Sequence, residues 1–167
     1  MGLSFSEMRI VLEQENICTS LKGRIRYFAT RYRKTHDSMG AVAIFVDGEK
    51  WLFSSWFEWA KKQTEIVREM REKYGRLYNY FDLIVEKGGF DQFCFYNAFH
   101  EYQNQSIEKS ITSTDALVRL FAIFDKRIGK RTLEKLLEEV EKQPKWLQPF
   151  YCLRMKAENI GNFEVRK

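Results

Sequence analysis

The chain has 167 residues, 44% of them hydrophobic and 31% charged, with two prolines and a formal net charge of +5. That length and balance predict one globular domain over residues 1–167 and exclude a disordered or fibrous chain. No run approaches the roughly eighteen apolar residues of a membrane span, and no export signal is read at the N-terminus. Cys18, Cys94 and Cys152 are odd in number and far apart, which argues against a disulfide framework or a zinc knuckle and for a reducing cytoplasm. Aromatic residues reach 16% and are expected mostly in the core.

In chain order, Ser4 and Glu7 have the spacing of a capping box, and Met8, Val11 and Leu12 follow on one helical face; this helix is expected to end before Gly23. From Arg24 to Tyr32 the pattern alternates. Ile25, Tyr27 and Ala29 share one face of a strand, and Arg24, Arg26 and Phe28 the other. Asp47-Gly48 marks a two-residue hairpin turn. An even register from that turn sets Val46 opposite Glu49, Ile44 opposite Trp51 and Val42 opposite Phe53. The N-terminal part, residues 1–54, is thus a helix and a three-stranded antiparallel meander.

Residues 55–167 read as helical. Ser55 and Glu58 repeat the capping spacing ahead of Trp56, Trp59, Ala60, Gln63, Val67, Met70 and Tyr74, with Gly75 as C-cap. Further helices are predicted over 77–87, 90–103, 106–111, 115–127 and 130–142, with a last one after Pro144 that holds Pro149 in its first turn. The fold class is α+β: a short meander packed with a mainly helical C-terminal two-thirds.

The segment from Lys22 to Lys34 holds six basic residues and no acid, with Tyr27, Phe28 and Tyr32 interleaved. Arginines beside exposed rings on a sheet can neutralise phosphates while the rings stack on unpaired bases. The alternative is a solvated face with snorkelling arginines. In the following loop His36 adjoins Asp37, near Arg31, Arg33 and Lys34. A histidine beside a carboxylate suits acid-base work, and the cations suit phosphate; a polar loop with Asp37 bonded to backbone is the structural counterpart. Around Gly129, residues Arg127, Lys130 and Arg131 form a second basic turn, either an anion site at a helix start or a helix terminus with Asp125 paired to Arg127 or Arg131. His100 lacks a second histidine four residues away, and no metal site or cofactor motif is read anywhere.

Two segments, Arg31-Tyr32-Arg33-Lys34-Thr35-His36-Asp37 and Phe124-Asp125-Lys126-Arg127-Ile128-Gly129-Lys130-Arg131-Thr132-Leu133, resemble those of a family of small bacterial proteins of unknown function. The resemblance extends over most of the chain. It implies a bacterial cytoplasmic origin and assigns no residue a role.

Three readings of function follow. The first is a non-enzymatic interaction or regulatory protein that binds a protein or nucleic acid through Arg24, Arg26, Arg31, Arg33, Lys34, Arg127, Lys130 and Arg131. The second is a small phosphoester hydrolase or nuclease-like enzyme using His36 and Asp37. The third is a protein that neutralises a toxin or phage component. All three leave the oligomeric state open.

Overall fold

The computed structural model describes residues 2–30, 40–74 and 81–161. Helix α1, Phe5–Ile10, starts at the expected capping box: Ser4 Oγ accepts the Glu7 N–H at 3.3 Å, and the Ser4 N–H donates to Glu7 Oε2 at 2.6 Å. The helix then widens into a π-helical turn over Val11–Glu15. Glu13, on that turn, accepts a fork from Arg9 and the backbone N–H of Tyr27 at 2.8 Å. The expected continuation toward Gly23 is corrected. At Ile17 the chain leaves to bridge with Asp125, the Cys18 N–H donating to Phe124 O at 2.8 Å and the Lys126 N–H to Asn16 O at 2.7 Å. Cys18 is therefore buried outside the helix, ahead of a 3-10 turn at Thr19–Leu21.

Strands β1 (Ile25–Ala29), β2 (Ala41–Val46) and β3 (Glu49–Ser55) form the expected meander, in the order β1-β2-β3. Tyr32, expected within the first strand, lies outside the described residues. β1 is an edge strand, and the Glu13 carboxylate covers it by taking the Tyr27 N–H that β2 does not reach. Asp47 and Gly48 take the positive φ angles, 51° and 84°, that a tight hairpin turn requires. The even register holds only at its first two rungs, Val46 to Glu49 and Phe45 to Lys50. Beyond them Ile44 pairs with Leu52 and Val42 with Ser54, because Trp51 is inserted as a β-bulge. The expected pairing of Val42 with Phe53 is thus corrected, and Phe53 moves to the opposite face, across from Ala43.

The helical part comprises α2 (Trp56–Tyr74), α3 (Phe81–Glu86), α4 (Gln92–Gln103), α5 (Ile107–Ile111), α6 (Ala116–Ile123), α7 (Lys130–Leu137) and α8 (Gln148–Ala157). Side chains of Asp91, Ser106 and Asp115 cap α4, α5 and α6. Gly75 lies outside the described residues. Two boundaries are corrected: the helix expected to reach Arg127 ends at Ile123, where the chain turns to bridge with Ile17, and the one expected to reach Lys142 ends at Leu137 before a 3-10 turn at Val140–Lys142. The inner face of the sheet, α1, α4, α6 and α8 share one continuous hydrophobic core. At its centre Phe121 meets Tyr27, Phe95 and Tyr102 with ring centroids 5.3–5.8 Å apart. Gly40, at the entry to β2, lies so close to buried Gln92 that a Cβ would fall 1.5 Å from its Oε1.

Asp115 links fold to pH. Its carboxylate accepts the Leu117 N–H at 2.9 Å, yet burial and the neighbouring charges of Asp82 and Glu101 push its pKa up to about 7 from an ordinary 3.8. The folded state therefore holds this proton more tightly than the unfolded chain. Its contribution is fully present below about pH 4 and is lost as pH rises to about 7. Asp115→Asn keeps the capping acceptor without the charge. Urea unfolding is expected to show it more stable than wild type by about 1–2 kcal/mol at pH 8 and not at pH 4. An equal difference at both values would contradict the assignment.

Candidate nucleic-acid interface

Alternation in β1 buries Ile25, Tyr27 and Ala29 and turns Arg26 and Phe28 outward, as the sequence predicts. The register then dictates which side chains join them. Arg26, Phe45 and Lys50 form one row across the outer face, and Phe28, Ala43 and Phe53 the next. Phe28 is 46% exposed and Phe53 54%, whereas Ala43 between them is 3% exposed. Two exposed rings thus flank a small central residue that is itself covered. The Lys50 ammonium lies 5.2 Å from the centroid of Phe53, over the ring.

The charge on this face is uneven. Arg24 and Asp47 form a bidentate pair at 2.8 Å beside the hairpin turn, which raises the arginine pKa and lowers that of the carboxylate. Both partners are well exposed, so the pair holds geometry more than it adds stability. Arg9 is similarly committed to Glu13. Arg26 and Lys50 have no carboxylate partner among the described residues, and they flank Phe45 as two available cations. A shallow hollow lined by Arg9, Arg26, Tyr27, Phe45 and Gly48 adjoins them. Glu49 belongs to the inner-face row with Val46.

Of the residues singled out from the sequence, Arg26 stands on this face and Arg24 at its turn. Arg31, Arg33, Lys34, His36 and Asp37 lie outside the described residues. Of the residues that border them, Thr30 accepts the Tyr96 hydroxyl on its carbonyl at 3.1 Å and Gly40 packs against Gln92. Lys50, Phe45 and Phe53 are residues of this outer face that sequence reasoning missed. Lys50 and Phe45 were within reach of the Asp47-Gly48 register, but Phe53 changes face only because of the bulge.

The second basic segment is organised differently. Asp125 is 1% exposed and its carboxylate takes Arg127 in a bidentate grip, the Arg127 N–H at 2.8 Å and the Tyr102 hydroxyl. Asn16 Nδ2 donates to that same hydroxyl at 3.1 Å. Burial and the bond to Asp125 push the Tyr102 pKa upward; the same carboxylate raises that of Arg127. Arg127 pairs with Asp125, and Lys130 and Arg131 remain exposed at the start of α7. Asp125 and Arg127 thus hold the point where residues 16–18 meet the segment after α6.

Cys94 and Cys152 have their thiol pKa values raised, chiefly by burial, which makes both poor nucleophiles at neutral pH. Among the described residues no cluster of three His, Cys, Asp or Glu side chains is arranged to hold a metal. Among them, too, no helix is long and apolar enough to cross a membrane.

No curated protein and no solved structure matches the chain. One family model does match, from the Ser4 cap through the sheet and helices to Met155 in α8, residues 4–155, and on that extent the chain belongs to the SF0329 protein family.

Proposed function

We propose that this chain is a non-enzymatic nucleic-acid-binding protein whose contact surface is the outer face of its sheet. One observation carries the reading. Available cations and exposed rings alternate across adjacent strands, with Arg26 and Lys50 about Phe45 and with Phe28 and Phe53 about Ala43. Cations meet phosphates, and a net charge of +5 favours approach of a polyanion. Arg31, Arg33 and Lys34 follow β1 in the sequence and extend its basic character. A bacterial cytoplasmic setting and a regulatory role belong to the same reading; three unpaired cysteines suit a reducing compartment.

The experiment is a salt titration of oligonucleotide binding. Each phosphate neutralised on a single strand contributes about 0.7 to the slope of log K against log salt. Arg26→Gln with Lys50→Gln is expected to flatten that slope by about 1.4 and to weaken binding at low salt. Both side chains are exposed, so the fold is unaffected. An unchanged slope in the double variant would overturn the assignment of the face.

A further inference from the structure

We infer that the partner is specifically single-stranded, held by one base on Phe28 and another on Phe53; this rests on the nucleic-acid reading of the same face. In a duplex the faces of the bases are already covered by their neighbours, and a protein reaches only groove edges, sugars and phosphates. An unpaired base offers its whole π face, and stacking on an aromatic side chain is tolerant of base identity. Phe28 and Phe53 give the rings for this, 46% and 54% exposed and on the same rung of the sheet.

Their spacing adds a second constraint. The rings belong to β1 and β3, with β2 between them, and strands lie about 4.8 Å apart, so the two positions are separated by about 10 Å. Successive bases in a duplex rise by about 3.4 Å. Two bases seated on the two rings are therefore splayed apart, which a paired duplex does not permit and a flexible single strand does. Ala43, the residue between them in the row, carries only a methyl group and is covered, so the contact surface is made by the two exposed rings themselves. The neighbouring rung places Arg26 beside Phe28 and Lys50 beside Phe53, so each ring has a cation next to it for the adjoining phosphate. Lys50 already lies over Phe53, and a base arriving there replaces an ammonium that turns to the phosphate.

The strand thus runs across β1, β2 and β3 rather than along them. Rings and cations read no base edge, so affinity is nearly independent of sequence. The 2′-hydroxyl has no designated partner on this face, and RNA and DNA single strands are expected to bind alike.

The test uses the full chain and fluorescence anisotropy with labelled mixed-sequence oligonucleotides of about eight nucleotides, as single-stranded RNA, single-stranded DNA and duplex DNA. Phe28→Leu and Phe53→Leu keep apolar bulk and remove the π face. Each is expected to weaken single-strand binding by about 5- to 150-fold and to leave residual duplex binding unchanged, with circular dichroism unaltered. Duplex binding as tight as single-strand binding, or insensitivity of the latter to both substitutions, overturns the stacking proposal while the nucleic-acid reading stands. Absence of binding to all three probes at low salt overturns that reading as well. A preference of more than tenfold for RNA over DNA would contradict the arrangement drawn here.

Discussion

Arg154→Met is expected to destabilise the chain by about 3–5 kcal/mol, a large share of the 5–15 kcal/mol typical of a domain. Arg154 projects from α8 and is only 2% exposed. Its Nη1 donates to Ile123 O at 2.8 Å and Asp125 O at 3.0 Å, and its Nη2 donates to Ile128 O at 3.0 Å. Those carbonyls lie at and beyond the C-terminus of α6, where a helix leaves acceptors without partners of its own. Met fills similar volume yet returns none of the donors, and each buried carbonyl left unpaired costs about 1–3 kcal/mol before relaxation. Arg154→Lys is expected to recover less than half of the loss, since an ammonium keeps the charge without the fork. Equilibrium urea unfolding checks both; a Met variant within 1 kcal/mol of wild type, taken as about the scale of an ordinary substitution, would contradict this role.

Asp125→Ala is expected to cost about 2–4 kcal/mol, while Lys130→Ala and Arg131→Ala each stay within about 0.5 kcal/mol of wild type. The contrast follows from what each side chain touches. The Asp125 carboxylate serves the Arg127 backbone, the Arg127 guanidinium and the buried Tyr102 hydroxyl together, at the point where residues 16–18 join the segment after α6. Its loss leaves the buried Tyr102 O–H without its acceptor, Asn16 being only a donor to the same oxygen. Lys130 and Arg131 face solvent. Arg127→Ala falls between them, at about 1 kcal/mol, because the guanidinium is itself partly exposed. Melting temperatures of the four variants, ordered Asp125 below Arg127 below the other two, are the expected record. If Lys130 or Arg131 proved as costly as Asp125, the turn would be doing something other than joining residues 16–18 to the segment after α6.

Much of the fold is written locally. The capping box at Ser4, the alternation from Ile25 to Ala29 and the Asp47-Gly48 turn are short-range signals, and the structure carries all three. The bulge is not local in that sense. Trp51-Leu52-Phe53 is apolar throughout, so the pattern fits either register, and the choice is made by tertiary packing. Leu52 pairs with Ile44, and Trp51, left out of the ladder by the bulge, sets its ring 5.8 Å from that of Phe150 on α8. Ser54 then turns inward, fully buried, and its Oγ accepts the Phe90 N–H at 2.9 Å. Long-range pairing also explains the early ends of the helices at Glu15 and Ile123, where backbone that would extend each helix instead forms the bridge between Ile17 and Asp125. Arg154 was invisible for another reason: residue type places an arginine at the surface, and only the free carbonyls after α6 make its burial favourable.

The outer face of the sheet shows the same division. Arg26 and Phe28 follow from the strand's period, and the sequence alone sets them on one face. Their partners across the sheet depend on the bulge, which takes Phe53 from the core side to the open side and completes the two-ring row. A basic cluster in the sequence also divides by context: Arg24 is spent on Asp47 and Arg127 on Asp125, while Arg26 and Lys50 stay available. Counting charges along the chain does not separate these cases; pairing in space does.

Whether the outer face of the sheet is where this chain meets its partner is tested most directly by amide chemical-shift mapping during titration with a single-stranded oligonucleotide. The account predicts that the largest shifts fall on Arg26, Phe28, Ala43, Phe45, Lys50 and Phe53, with α7 unmoved. Shifts concentrated on Lys130 and Arg131 at the start of α7, with the sheet silent, would contradict it.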